Sequence, residues 1–187
     1  MSDMKRIGVA VILLLVSSTV VFSQEFSLST NLVGYANLGT MNAEFSYAAT
    51  RHISVNASVK YNPFTFHKGT SRQFQSRQQS YAAGIRWWPW HSLSGWWVAA
   101  KLQYQEYNAG GILSRRTEEG DRAGVGLTVG YTYMLHPHVN MEFGLGGWAG
   151  CKWYTVYSCP KCGIKEENGR KAFILPNDLI VSIAYVF

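Results

Sequence analysis

From Phe26 to Phe187 the chain keeps returning to a period of two. "ISVNASVKY" sets Ile53, Val55, Ala57, Val59 and Tyr61 against Ser54, Asn56, Ser58 and Lys60. "WWVAAKLQYQ" sets Trp96, Val98, Ala100, Leu102 and Tyr104 against Lys101, Gln103 and Gln105. "RAGVGLTVGYTY" sets Ala123, Val125, Leu127, Val129, Tyr131 and Tyr133 against glycine and threonine. Such alternation belongs to strands with one apolar and one polar face. Eight segments follow it: "FSLSTNLVG", "MNAEFSYAA", "ISVNASVKY", "SYAAGIRWW", "WWVAAKLQYQ", "RAGVGLTVGYTY", "VNMEFGLGGW" and the closing "NDLIVSIAYVF". Few stretches show a helical period, so the expected class is all-β.

Two regularities narrow the fold further. Each segment is near the ~9–11 residues a tilted strand needs to cross a bilayer. The links after the second, fourth and sixth segments are short, at residues 50–52, 89–94 and 135–138. Those after the third, fifth and seventh are long and polar, at 62–77, 108–120 and 155–176. Loops sorted by parity suit a membrane barrel, with tight periplasmic turns and long outer loops. The expectation is an eight-stranded antiparallel up-and-down transmembrane barrel, closed so that no strand edge meets lipid. Its apolar set would face lipid and its small or polar set the lumen. Tyr47, Trp87, Trp96, Tyr133 and Tyr185 fall near one rim, and Tyr61, Tyr81, Tyr104 and Trp153 toward the other. Two aromatic girdles are expected at those levels.

The chain ends agree with export to such a place. Residues 1–23 carry Lys5 and Arg6, an apolar run from Ile7 to Val16, and small or medium residues before Gln24, the pattern of a cleaved signal peptide. The domain expected to remain is 24–187. Phe187, with Tyr185 and Ile183 on the same face, resembles the terminal signal by which outer-membrane barrels are recognised for assembly. An integral outer-membrane location in a Gram-negative bacterium follows, with outer-membrane lipid and lipopolysaccharide as surroundings. Without Lys5, Arg6 and Asp3, the 17 basic and 11 acidic side chains become 15 and 10, a net charge of +5. That charge favours anionic headgroups or polyanionic sugar. No nucleic-acid motif accompanies it, and no nucleic-acid partner is expected.

"VKYNPFTF", "GIRWWPW", "GGWAGCKWYTVYSCPKCG" and "SIAYVF", in this order, resemble a family of small outer-membrane proteins whose domain has no assigned function. The likeness covers nearly all of the expected mature chain. Its most specific pieces are Asn62–Pro63, at the exit of the third strand, and Cys159–Cys162–Gly163 in the last long loop. Genes of that family often lie beside components of fimbria-like adhesins in anaerobic bacteria of the gut and mouth. The resemblance therefore implies a role in surface assembly, with protein partners in an envelope or fimbria-like complex.

Chemistry could reside in the lumen or in the cysteine loop. An eight-stranded barrel is just wide enough inside for side chains to fill it. Charges there are costly unless paired. Glu44, Lys60, Arg86, Lys101 and Glu142 all take the lumen phase and are expected to form one network with water, plugging the barrel rather than conducting. The alternative is a narrow ion channel. A lipid A acylhydrolase is a second alternative, and it needs a nucleophile with a positioned base. Of the histidines, His52, His91, His136 and His138 fall at the short turns. His67 lies in an outer loop near Thr70 and Ser71 with no carboxylate in register. No enzyme and no cofactor are expected. Cys159 and Cys162 have the spacing of half a zinc knuckle but lack a second such pair. A local Cys159–Cys162 disulfide is favoured over zinc, with Cys151 free. The expected function is that of a structural or accessory barrel.

Overall fold

In a computed structural model, which describes residues 25–68, 73–111, 116–158 and 164–187, the alternating segments pair with their neighbours as antiparallel strands. They are β1 (Phe26–Asn31), β2 (Met41–Ala48), β3 (Ile53–Asn62), β4 (Thr65–Phe66), β5 (Phe74–Trp87), β6 (Gly95–Gly110), β7 (Thr117–His136), β8 (Val139–Tyr157) and β9 (Lys165–Val186). The two-residue β4 continues β3 along the same neighbour, β5, after a break at Pro63–Phe64. Nine strands thus make eight staves. β1 pairs with β9 from Ser27↔Val186 to Asn31↔Ser182, which closes the ring. The Phe187 N–H donates to the Phe26 carbonyl at 2.9 Å, so the last residue is part of the seam.

The register shows how strongly the staves tilt. Leu28 lies on one ladder row with Phe45, Ala57, Ala83, Leu102, Val125, Ala149 and Ile174. Yet Leu28 pairs directly with Tyr185, eleven residues along β9 from Ile174. A closed sheet acquires such an offset only when its strands are inclined to the barrel axis.

The two faces separate as the alternation requires. Leu102, Leu127, Leu145, Val125, Ile85 and Trp87 point outward, with Leu102 67% and Leu127 66% exposed. Ser46, Ser54, Ser80, Arg86, Gln103, Thr128, Thr132, Glu142 and Ser182, on the opposite phase, are buried. The expected lumen is rich in small residues, and glycines do line it, but large rings lie among them. Trp88, Trp97 and Trp148 are buried inside. A Cβ on Gly130 would sit 2.4 Å from Trp97 Cζ2, and one on Gly144 would sit 3.2 Å from Trp97 Cη2. These glycines on β7 and β8 make the hollow that the indole fills. Gly130→Ala should therefore destabilise the barrel by about 1–3 kcal/mol through overpacking, and Gly144→Ala by less. Urea unfolding in lipid vesicles measures both; equal effects would break the link to Trp97.

The structure corrects two boundaries. The first strand ends at Asn31, not at Gly34, because Leu32–Ala36 turn into a short helix, α1. Asn31 is its N-cap: the side-chain oxygen accepts from Val33 N at 3.1 Å. The same side chain donates to Leu179 O at 2.9 Å and accepts from Val181 N at 3.2 Å, finishing the β1–β9 seam. Among the described residues, the long links at 62–77, 108–120 and 155–176 also carry strand over much of their length. β6 and β7 stay paired to Gly110↔Thr117, and β8 and β9 to Tyr157↔Lys165. Backbone pairing does not require an apolar face, so polar sequence above the apolar band can still be sheet.

Asn62, singled out by the Asn–Pro exit, is 1% exposed and ties two elements together. Its amide donates to Thr40 Oγ1 at 3.0 Å and to Leu38 O at 3.2 Å, while its oxygen accepts from Phe64 N at 3.0 Å. The end of β3 is thereby fixed to the β1–β2 connection.

Candidate functional site: a filled lumen

The lumen is built in layers. At the rim where the chain ends meet, Trp88, Leu93, Trp97, Ala99 and Val186 form an apolar plug, with Ala48 and Ile180 packed on it. Leu93 belongs to the turn after β5, which tucks under the barrel and is held by Asn140 Nδ2 donating to Leu93 O at 2.9 Å. Both indole N–H groups of the plug find a hydroxyl. Trp88 Nε1 donates to Ser54 Oγ at 2.9 Å, and Trp97 Nε1 to Thr132 Oγ1 at 3.1 Å. Buried tryptophan is tolerated on those terms.

Directly above stands Arg86 on β5, between Glu44 on β2 and Glu142 on β8. Arg86 Nη1 donates to Glu142 Oε1 at 3.1 Å, and Nη2 pairs with Glu44. The guanidinium lies 4.3 Å from the Trp97 ring centroid, so the plug and the ion triad share a face. Lys60 and Lys101 line the same internal cavity as Glu44, Arg86 and Glu142. Its volume is about 50 Å³, room for a few waters at about 10–15 Å³ each. The structure thus brings all five lumen-phase charges to one place. Higher up, Gln103 Nε2 donates to Ser80 Oγ at 3.1 Å, and Gln78 Nε2 to Thr40 Oγ1 at 3.2 Å.

A second charged cluster lies toward the opposite end, and the alternation did not single it out. Glu118 Oε1 accepts from Lys152 Nζ at 2.7 Å and from the Tyr107 hydroxyl, with Arg122 Nη2 at 3.6 Å. Arg122 lies 3.6 Å from the Tyr107 ring centroid. Burial alone would raise the Glu118 carboxyl, but the Lys152 and Tyr107 hydrogen bonds and the Lys152 and Arg122 charges hold it below the usual range. Burial, then the bond to Glu118, pushes the Tyr107 phenol up. A depressed carboxyl stabilises the fold above its unfolded value and stops doing so as pH falls through the folded value. Acidification through and below the ordinary carboxylate range should therefore loosen this end first. Amide exchange at Tyr107 and Lys152 should accelerate there, and Glu118→Gln should flatten the profile. A profile unchanged by Glu118→Gln would assign the effect to other carboxylates.

The remaining residues singled out by sequence fall elsewhere. Tyr185 and Phe187 are outside, at the seam. Tyr185 stacks on His138 with centroids 6.0 Å apart and meets Phe187 edge-on at 4.9 Å. His52 Nδ1 lies 3.0 Å from Trp88 O and His138 Nδ1 3.0 Å from Val186 O, contacts that tie turns to strand ends. Cys151 is a free thiol on β8, with Arg170 Nη2 donating to its Sγ at 3.6 Å. Cys159 and Cys162 lie outside the described residues, as does the expected signal segment. Among the described residues no group of three or more His, Cys, Asp and Glu side chains is placed to hold a metal ion.

Fold and lumen together define a small closed barrel, apolar outside and occupied inside by its own side chains. A family model described as "Protein of unknown function (DUF3575)" matches residues 9–187, and the chain belongs to that family. No curated protein and no solved structure matches it.

Proposed function

We propose that this chain is an integral outer-membrane barrel that serves as a structural or accessory subunit of an envelope or surface-adhesin complex and carries no open pore. The observation that supports the reading best is the outward row of large apolar side chains around the ring, from Leu28 and Val55 through Leu102 and Leu127 to Ile183. In water so continuous an apolar surface is a liability, and in lipid it is the requirement. Trp87, Trp96, Tyr133 and Tyr185 near the seam end, and Tyr61, Tyr81 and Tyr104 farther up, are exposed and suit two interfacial girdles. The plug and the ion triad support a lumen that holds the staves in register rather than passing solute.

The test is fractionation and purification of the tagged native protein. It should enter the outer-membrane fraction, run faster on gels unheated than heated, bring envelope proteins with it, and give no steady conductance in planar bilayers. Recovery in the soluble periplasmic fraction would overturn the location. A stable porin-like conductance would overturn the filled lumen as a functional statement.

A further inference from the structure

β9 outruns the stave that closes the ring on it. β1 has 6 residues and β9 has 22. Their ladder stops at Asn31↔Ser182, and the Asn31 side chain extends it only to Leu179. Beyond that, among the described residues, no strand pairs with this edge of β9 from Lys165 to Asp178. The other edge stays paired with β8 up to Lys165. A long strand supported on one side, with backbone donors and acceptors open on the other, is a template for another strand.

The side chains say which strand fits. Residues 166–171 read Glu166, Glu167, Asn168, Gly169, Arg170, Lys171, so the sign of charge reverses at the middle. An edge of one sign would repel its own copy. This one, laid antiparallel on itself, sets acid against base. The dyad of an antiparallel pair is perpendicular to the sheet and preserves its faces, so a residue must meet one of its own facing. Placing Gly169 on the dyad satisfies this and sets Glu167 opposite Lys171 and Asn168 opposite Arg170, each twice. The β8–β9 register shifts between Glu167 and Lys165, so the stretch of unbroken alternation that the two copies share is Glu167–Lys171, about 17 Å of strand at ~3.4 Å per residue.

We propose that the free outer edge of β9 pairs antiparallel with the same edge of a second copy of this chain, with Gly169 on the two-fold axis. That axis is normal to the barrel wall, so it inverts the barrel axis. The two copies therefore stand in facing membranes, and the contact joins two surfaces rather than two neighbours in one. The edge pairing rests on β9 alone; the facing-membrane arrangement also rests on the outer-membrane reading above.

The full-length barrel in detergent micelles, followed by sedimentation velocity over a range of concentrations, tests the pairing. Wild type should form a dimer. Glu167→Lys and Lys171→Glu should each weaken it by about tenfold or more, since each sets like charges opposite one another twice. An equimolar mixture of the two variants should restore the dimer, because each new lysine then faces a glutamate. Glu167 also accepts a hydrogen bond from the Tyr154 hydroxyl, whereas Lys171→Glu leaves that contact in place, so agreement between the variants separates the interface from local damage. Unheated gel mobility reports that each variant is folded. A monomeric wild type, or a mixture no better than its components, overturns the proposal. On cells, strains carrying the two variants should clump only when mixed. Dimers in micelles without clumping of cells that display the barrel overturn the facing-membrane arrangement, whereas absence from the outer-membrane fraction overturns the location instead.

Discussion

Arg86→Met is expected to destabilise the barrel by about 3–5 kcal/mol, the cost of breaking a buried ion pair from one side. The guanidinium side chain is 3% exposed and that of Glu142 4%. Methionine keeps much of the volume against Trp97 but leaves the Glu142 carboxylate inside the lumen without its cation. The loss is one of desolvation more than of packing. Adding Glu142→Gln to Arg86→Met should recover more than half of it, because the stranded charge is then gone. Urea unfolding of both variants in lipid vesicles supplies the comparison. Additive losses in the double variant would show that Arg86 and Glu142 contribute separately and that the triad is not the unit described here.

Leu127→Arg should impair assembly by an independent route. Leu127 points outward near the middle of β7, level with Ala100 and Gly147 on the neighbouring staves. An arginine on the lipid side near the bilayer midplane costs roughly 2–4 kcal/mol, falling toward zero at the interfaces. Tyr133→Arg, six residues nearer the rim on the same strand and face, should cost much less. The yield of the fast-migrating folded form in vesicles reads both. Equal yields would mean that β7 does not cross lipid with this face outward. Thr128→Arg would fail in another way, since Thr128 is buried against the lumen and the longer side chain has no room there.

What was legible in the sequence follows from which physics leaves a trace at period two. The outward phase did, because the outward residues of the band are apolar whatever their neighbours are. The lumen charges were legible for the complementary reason: Glu44, Lys60, Arg86, Lys101 and Glu142 interrupt the small-residue face. Their pairing was not. Arg86 meets Glu44 and Glu142 across the inside of the ring from β5 to β2 and β8, and alternation along one strand carries no cross-ring distance. Trp96 took the outward phase from the alternation, but that alternation gave no sign that Trp97, 1% exposed inside, fills the lumen. The signal for Trp97 lay on other strands, in Gly130 and Gly144, which leave space only an inward ring would need. The strand ends above the band were misread because apolar and polar side chains no longer alternate there. "KEENGRK" has no apolar face, yet all of it but Glu166, where the register shifts, is paired with β8. Glu118, Arg122 and Lys152 were missed for the same reason. The helix after Asn31 was missed because Leu32 happens to continue the alternation while Asn31 caps a turn.

The most direct test is a residue-by-residue scan of β7 in a variant with Cys151, Cys159 and Cys162 replaced. Single cysteines at 125 through 129 would be folded into vesicles first and then exposed to a small thiol reagent dissolved in the lipid. Rapid labelling is predicted at positions 125, 127 and 129 and slow labelling at 126 and 128. Labelling without alternation, or with the opposite phase, would contradict a lipid-facing barrel with a filled lumen.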